Sequence, residues 1–144
     1  MVKLALGAFV LLSQLVNAPG NELPQVMSLD SKAVASAKAG RKSDITVGFT
    51  LLKGFVINRT PPVSLKLTET PGVTLQKMSF TSSPDDPKSK DEYYVDLPTI
   101  KIPVLAAKAG KYEIPGKLTY FFCSKSDGFC SRQVFDVKIP LQVQ

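Results

Sequence analysis

The two cysteines of the chain, Cys123 and Cys130, are the residues best suited to do chemistry, and six residues separate them. A thiolate is a strong nucleophile, and two cysteines held together interconvert between a dithiol and a disulfide. Paired cysteines persist as disulfides mainly in exported proteins. Whether Cys123 and Cys130 can pair therefore depends on the turn between them, which contains Asp127-Gly128.

Histidine is absent from the sequence. Its absence removes the commonest general base and the commonest metal ligand. Neither a Ser-His-Asp nor a Cys-His nucleophile can be assembled, and two cysteines are too few for a tetrahedral zinc site. We therefore expect no metal and no cofactor, and most hydrolase chemistry is excluded.

The register of the hairpin decides whether the two sulfurs meet. A two-residue loop at Asp127-Gly128 would put Cys130 opposite Lys125. Cys123 would then lie on the diagonal, about 7–8 Å away, which is too far for a relaxed disulfide. A four-residue loop, 125–128, places Cys123 opposite Cys130 and needs a left-handed glycine at its end. We expect the four-residue loop, because export favours a formed disulfide.

Such a bond has two interpretations. As a structural clamp it closes a ring of eight residues, which the chain-entropy model values at about 2.5 kcal/mol. As an exchangeable bond it would profit from Lys125 and Arg132, whose charges favour a thiolate. The rings of Phe121, Phe122 and Phe129 would shield the sulfurs or offer a partner an apolar surface. Chemistry alone favours the structural clamp, because most disulfides of secreted proteins are structural.

The elements that must position the cysteines are strands. Apolar and polar residues alternate in 45–51, 63–67 and 135–143. Turn pairs such as Pro71-Gly72 and Pro115-Gly116 punctuate the chain at intervals of about ten residues. This pattern predicts an all-β, immunoglobulin-like antiparallel β-sandwich, in which strands 117–124 and 129–143 form the cysteine hairpin.

Three further features of this pattern lead to predictions. The alanine-rich stretch 34–39 is predicted to be a strand. Pro140 cannot donate to a ladder, so the last strand should be an edge or carry a bulge there. Residues 81–98 are predicted to form one long irregular connection, which is either functional or a tolerated surface insertion.

The beginning of the chain is typical of a targeting segment. Residues 1–20 carry Lys3 and then an apolar run, 4–16, that is short for a membrane span. We expect a signal peptide at 1–20, a single domain at 21–144, and a periplasmic or secreted product that keeps no stable membrane insertion. The alternative is that the segment stays on the protein as an uncleaved N-terminal anchor. The net charge is +6, but the lysines are scattered rather than clustered, so nucleic acid is not an expected partner.

Several stretches of the chain match one known family. They are 52–58, 61–67, Pro71-Gly72-Val73, Leu118-Thr119-Tyr120 leading into Cys123, Gly128-Phe129-Cys130, and 137–141. On these residues the chain resembles the N-terminal periplasmic domain of the thiol:disulfide interchange protein DsbD, the disulfide-bond-corrector domain family. The resemblance covers roughly residues 30–144.

The resemblance implies an immunoglobulin-like fold and, in the redox members, thiol:disulfide interchange activity. Such a pair passes electrons between a thioredoxin-like protein and oxidised periplasmic protein substrates. Carried over by position, Cys130 would form the mixed disulfide and Cys123 would resolve it. The redox members have one residue fewer between their cysteines.

The redox members also shield the disulfide with a loop, in which an aromatic residue follows an acidic pair. Asp85 and Asp86 match the acidic pair, but Pro87 stands where the aromatic residue belongs. The resemblance therefore implies a shield that uses other aromatic residues, for which the candidates are Tyr93, Tyr94 and Phe80.

Two functions follow as expectations. The first is an exported thiol–disulfide exchange module acting through Cys123 and Cys130. The second is a non-catalytic immunoglobulin-like protein-interaction domain in which the same bond is a structural hairpin disulfide.

Overall fold

The protein is described by a computed structural model that covers residues 23–30, 32, 34–82 and 91–144. Within these ranges the regular elements are all strands. The strands are β1 (Met27–Leu29), β2 (Ala35–Ala37), β3 (Lys42–Val47), β4 (Phe49–Leu51), β5 (Phe55–Ile57), β6 (Ser64–Leu67), β7 (Val73–Leu75), β8 (Ser79–Thr81), β9 (Ile100–Ala106), β10 (Gly110–Ser124) and β11 (Cys130–Val143). The signal peptide predicted at 1–20 lies outside the described residues.

The strands form sheets around one apolar core. The largest sheet has the order β2-β11-β10-β6-β8, and β5 pairs with β10 beyond the end of β6. Opposite it lies the sheet β3-β9-β7, and β1 pairs with β4. Only the β2–β11 pair among these is parallel. The all-β, immunoglobulin-like sandwich predicted from the alternation is confirmed.

The longest elements are β10 and β11, which pair from Gly110 opposite Val143 to Cys123 opposite Cys130. We call this pair the ribbon, and its cysteine end the tip. The turn predicted at Pro115-Gly116 is wrong, because both residues lie inside β10. A Cβ on Gly116 would stand 3.0 Å from the backbone oxygen of Lys66, so this glycine permits the close approach of β6 rather than a chain reversal.

The other sequence predictions for strands have mixed outcomes. The strand predicted within 34–39 is confirmed as β2. The alternating run 45–51 is not one strand, because it divides at Gly48 into β3 and β4, which pair with β9 and β1. Pro140 lies one residue before the pairing of β11 with β2 begins, which fits the predicted edge position.

The ribbon has an inner face in the core and an outer face. Successive side chains of a strand point to opposite sides, and the inner-face residues of β10 are Ile114, Leu118, Tyr120 and Phe122, each 0% exposed. The alternate residues, among them Cys123 and its partner across the ladder, therefore belong to the outer face.

A buried polar cluster fastens the start of the described chain to the inner face of the ribbon. The Tyr120 hydroxyl accepts a hydrogen bond from the Met27 N–H (2.9 Å) and donates to Gln133 Oε1 (2.7 Å). Gln133 Nε2 donates to the Pro24 carbonyl at 2.9 Å. Burial raises the pKa of Tyr120 above its ordinary value, because the phenolate would lose its hydration. The cluster satisfies polar groups that would be costly to bury alone.

Candidate functional site

The disulfide lies at the tip of the ribbon. Cys123 and Cys130 face each other across the last rung, are joined by a disulfide bond, and have Cα atoms 4.0 Å apart. The Ser124 N–H donates to the Phe129 carbonyl at 2.8 Å, and Gly128, the last residue of the loop, has a φ of 70°. The four-residue loop that we expected is therefore the one present, with its glycine in the left-handed region.

The two cysteines are unequally exposed. Cys123 is 5% exposed, whereas Cys130 is exposed. Both cysteines lie on the outer face. Phe122, the residue before Cys123, points into the core with 0% exposure, and successive side chains of a strand point to opposite faces. Cys130 is therefore open to a thiol in solution, whereas Cys123 is covered by protein.

Part of the cover of Cys123 comes from β5. Val56 pairs with Cys123 in the ladder, and the amide oxygen of Asn58 lies 3.5 Å from Cys123 Sγ. A disulfide sulfur carries no proton, so this contact is not a hydrogen bond while the bond is formed. A reduced Cys123 would have an S–H group that could donate to this oxygen.

Sequence reasoning did not assign a role in the site to Val56 or Asn58. Asn58 is 65 residues from Cys123 in sequence, so their proximity depends on the pairing of β5 with β10. The signal available was the run of three apolar residues at 55–57, which is typical of a strand and lies in the stretch that resembles the family.

Phe122 and Phe129 support the site from the inner side. The Phe122 ring packs edge-on against Phe55, with centroids 5.7 Å apart, and against Phe129, with centroids 6.1 Å apart. Edge-to-face geometry of this kind stabilises aromatic clusters. These rings therefore hold the base of the hairpin, and Phe122 lies across β10 from the sulfurs.

The other proposed shield residues lie in different places. Asp85 and Asp86 fall outside the described residues. Tyr94 is 8% exposed and belongs to the core, where its hydroxyl lies 2.8 Å from Ser82 Oγ. Phe80, 6% exposed, is also a core residue. Tyr93 is only half-buried.

Tyr93 lies closest in register to the disulfide among the described shield candidates. It forms an antiparallel bridge with Asn58, flanked by hydrogen bonds from Arg59 N to Glu92 O and from Tyr94 N to Ile57 O. This pattern is that of a non-hydrogen-bonded pair, in which the two side chains lie close together on the same face. The bridge brings Tyr93 beside the residue that covers Cys123.

The charged residues near the tip are on its rim. Lys125 is exposed in the loop, and Arg132 is exposed on β11, opposite Phe121. Arg132 is two residues from Cys130, so both side chains lie on the outer face. A cation at this position lowers the cost of negative charge on the nearby sulfur.

The described residues contain neither a candidate metal site nor a membrane-spanning helix. No group of three or more His, Cys, Asp or Glu side chains that could hold a metal ion occurs there. The same part of the chain has no helix of the length and apolarity that crossing a membrane requires.

Comparison with known proteins assigns no family. No family model matches the chain, and no curated protein matches it. Among solved structures, the chain is similar to murine CRIg, with a TM-score of 0.39 and 10% identity over 82% of this chain and 98% of that one. A similarity of this size carries no functional assignment.

Proposed function

We propose that the protein is an exported thiol–disulfide exchange module, an oxidoreductase that acts through Cys123 and Cys130. It passes electrons between a thioredoxin-like partner and oxidised periplasmic protein substrates. The observation that carries this proposal is the unequal exposure of the two cysteines, 5% for Cys123 against an exposed Cys130. The resemblance of the hairpin to the disulfide-bond-corrector domains supports the same assignment.

Reduction of the module proceeds in two exchanges. A partner thiolate attacks Cys130 Sγ, the Cys123–Cys130 bond breaks, and Cys123 leaves with the electron pair as a thiolate. A second thiol of the partner then attacks the mixed disulfide and releases Cys130. The partner becomes a disulfide, and the module has gained two electrons and two protons. The reverse sequence passes these electrons to an oxidised substrate.

The exposure difference favours Cys130 as the attacked sulfur. Exchange requires access along the bond being broken, and Cys130 alone of the two is exposed. Arg132 lies on the same face and would stabilise the approaching thiolate. Cys123, covered by Val56 and Asn58, is suited to resolve the mixed disulfide from within the protein.

The reduction potential of the Cys123–Cys130 bond tests the proposal. The oxidised protein is equilibrated with glutathione buffers and, where needed, dithiothreitol buffers, and the dithiol fraction is counted after alkylation. We expect a potential above about −300 mV, the range of exchangeable bonds. A value well below this would show that the bond is structural.

A trapping experiment tests the roles of the two sulfurs. Cys123→Ser and Cys130→Ser are each activated as a mixed disulfide with thionitrobenzoate. Each is then mixed with a thioredoxin that retains only its attacking cysteine. We expect cross-linking at Cys130 to be at least about tenfold faster than at Cys123, since access governs exchange. Equal rates would contradict the assignment of Cys130 as the attacked sulfur.

The second candidate is an immunoglobulin-like interaction domain with a structural disulfide. The burial of Cys123 favours it, because an inert bond is usually covered. This candidate predicts that the double variant Cys123→Ser/Cys130→Ser binds the partner as tightly as the unaltered protein. The reduction potential separates the two candidates without knowledge of the partner.

A further inference from the structure

One side of β11 is open beside the disulfide. Its pairing with β10 runs from Cys130 to Val143, whereas β2 pairs with its other side only from Leu141 to Val143. Among the residues that the structure describes, no strand pairs with that other side between Cys130 and Pro140. A strand edge of this kind can accept another polypeptide segment.

The backbone groups on this edge can be assigned from the ladder. Ser124 and Phe129 form a hydrogen-bonded pair, so the next pair along the ladder, Cys123 and Cys130, is a non-hydrogen-bonded pair. Hydrogen-bonded and non-hydrogen-bonded pairs alternate along an antiparallel ladder. In a non-hydrogen-bonded pair, the N–H and C=O groups point away from the partner strand. The backbone groups of Cys130, Arg132 and Val134 therefore point to the open side of β11.

The direction of thiol attack crosses the same edge. The S–S bond runs from β10 to β11. A nucleophile that attacks Cys130 in line with this bond approaches from the side of β11 that faces away from β10. The part of the partner that surrounds its attacking cysteine then lies next to the open edge.

The side chains on the outer face change character near the tip. Farther along the ribbon, Lys117 and Asp136 form an exposed ion pair at 3.1 Å. Close to the disulfide the outer face carries Val134, 41% exposed, and Phe121, half-buried. Arg132, between Cys130 and Val134, is the cation of this stretch and complements the charge of an attacking thiolate.

We propose that residues 130–134 of β11, the docking edge, bind an extended segment of the partner that lies beside its attacking thiolate. The segment adds to β11 as a further strand, with Val134 as its apolar contact and Arg132 as its charge complement. This inference rests on the proposed function and names the mode of recognition at the same site.

The backbone contribution is tested with Val134→Pro, which removes one edge N–H. The change leaves the ladder with β10 intact, and β11 already carries Pro140 at the equivalent kind of rung, opposite Glu113. Lys138→Pro is the matched control, because Lys138 is also in a non-hydrogen-bonded pair with β10 but lies farther from Cys130. Val134→Ala separates the loss of the side chain from that of the N–H.

The readout is the second-order rate of disulfide reduction by thioredoxin and, separately, by dithiothreitol. We expect Val134→Pro to slow the thioredoxin reaction about fivefold relative to Val134→Ala, the effect of one lost hydrogen bond. Lys138→Pro should react at the unaltered rate. Dithiothreitol, which needs no docking, should reduce all variants at rates within about twofold, and this reaction also reports correct folding of the tip.

The outcomes separate the two proposals. If Val134→Pro and Val134→Ala react equally with thioredoxin, strand addition at the docking edge is wrong, and the exchange function stands. If thioredoxin cannot reduce the unaltered protein while dithiothreitol can, the proposed partner class is wrong. Both results can be read from the same set of reactions.

The role of Arg132 is tested with Arg132→Gln, which keeps a long polar side chain and removes the charge. We expect a slower thioredoxin reaction with a weaker dependence on ionic strength, because steering of the thiolate is lost. An unchanged rate and an unchanged salt dependence would remove Arg132 from the docking edge.

Discussion

The inner and outer faces of the ribbon differ in burial, so adjacent residues of one strand have very different surroundings. Leu118, on the inner face, is 0% exposed, and the next residue, Thr119, is half-buried on the outer face. Phe122 packs between two aromatic rings, and the next residue, Cys123, is bonded to an exposed cysteine. Core packing and sulfur chemistry therefore occupy opposite sides of one strand.

This separation has a consequence for substitutions. The inner face belongs to a core that joins the sheets, so changes there should lower the free energy of unfolding. The disulfide on the outer face closes only a local ring, and its neighbours are partly solvated. Changes on the outer face should alter reactivity at the tip and leave most of the stability in place.

The largest effect is expected from Leu118→Ala on the inner face. Leu118 is fully buried and pairs across the ladder with Phe135. Removal of three carbons from a packed core costs about 2–5 kcal/mol of unfolding free energy, through lost burial and the cavity that remains. Urea denaturation followed by circular dichroism measures the change.

Thr119→Ala is the control for this prediction, one residue further along and on the outer face. We expect a change within about 0.5 kcal/mol, the range typical of positions away from the core. Similar losses from the two variants would contradict the division of the ribbon into two faces.

The next effect is expected from Cys123→Ser/Cys130→Ser at the tip. The ring spans a sequence separation of 7, and the chain-entropy model predicts a loss of about 2.5 kcal/mol. Unaltered protein kept reduced in dithiothreitol should lose a similar amount, as measured in urea. A double variant that is unfolded without denaturant would show that the tip, and not only the core, holds the fold together.

The hairpin was predictable because its determinants are local. The spacing of the cysteines, the position of Gly128 and the alternation of 135–143 together select one register, and that register is present. The all-β class follows from the same alternation, which depends only on neighbouring residues.

Features set by distant pairing were not predictable from local signals. Pro115-Gly116 has the composition of a turn, but β6 and β11 hold it in a long strand. The contact of Asn58 with Cys123 depends on where β5 meets β10. Tyr94 and Tyr93 are adjacent in sequence, and only the bridge to Asn58 determines which of them enters the core.

Tyr120→Phe tests the polar cluster on the inner face. The change removes the hydroxyl that accepts from the Met27 N–H and donates to Gln133. A buried group left without its partner costs about 1–3 kcal/mol, and we expect a loss near the middle of that range at pH 7. Urea denaturation of the two proteins gives the difference.

The same pair of proteins has a defined pH dependence. Burial raises the pKa of Tyr120 in the folded state above the value of 10.0 for a free tyrosine. As the pH rises past about 10, the unfolded chain releases this proton first, so the folded state binds more protons and loses relative stability. The advantage of the unaltered protein over Tyr120→Phe should be constant below about pH 9 and shrink above about pH 10. A constant advantage up to pH 11 would contradict the burial of this hydroxyl.

The smallest effect is expected from Asp136→Asn, which breaks the ion pair with Lys117 on the outer face. The two side chains are 65% and 83% exposed and lie 3.1 Å apart. Solvent screens such a pair, so the loss in unfolding free energy should be at most about 0.5 kcal/mol and should disappear in high salt. Urea denaturation at two ionic strengths measures it. A loss as large as that of Tyr120→Phe would mean that the outer face of the ribbon supports the fold, and the contrast between its two faces would then be confined to the sulfurs.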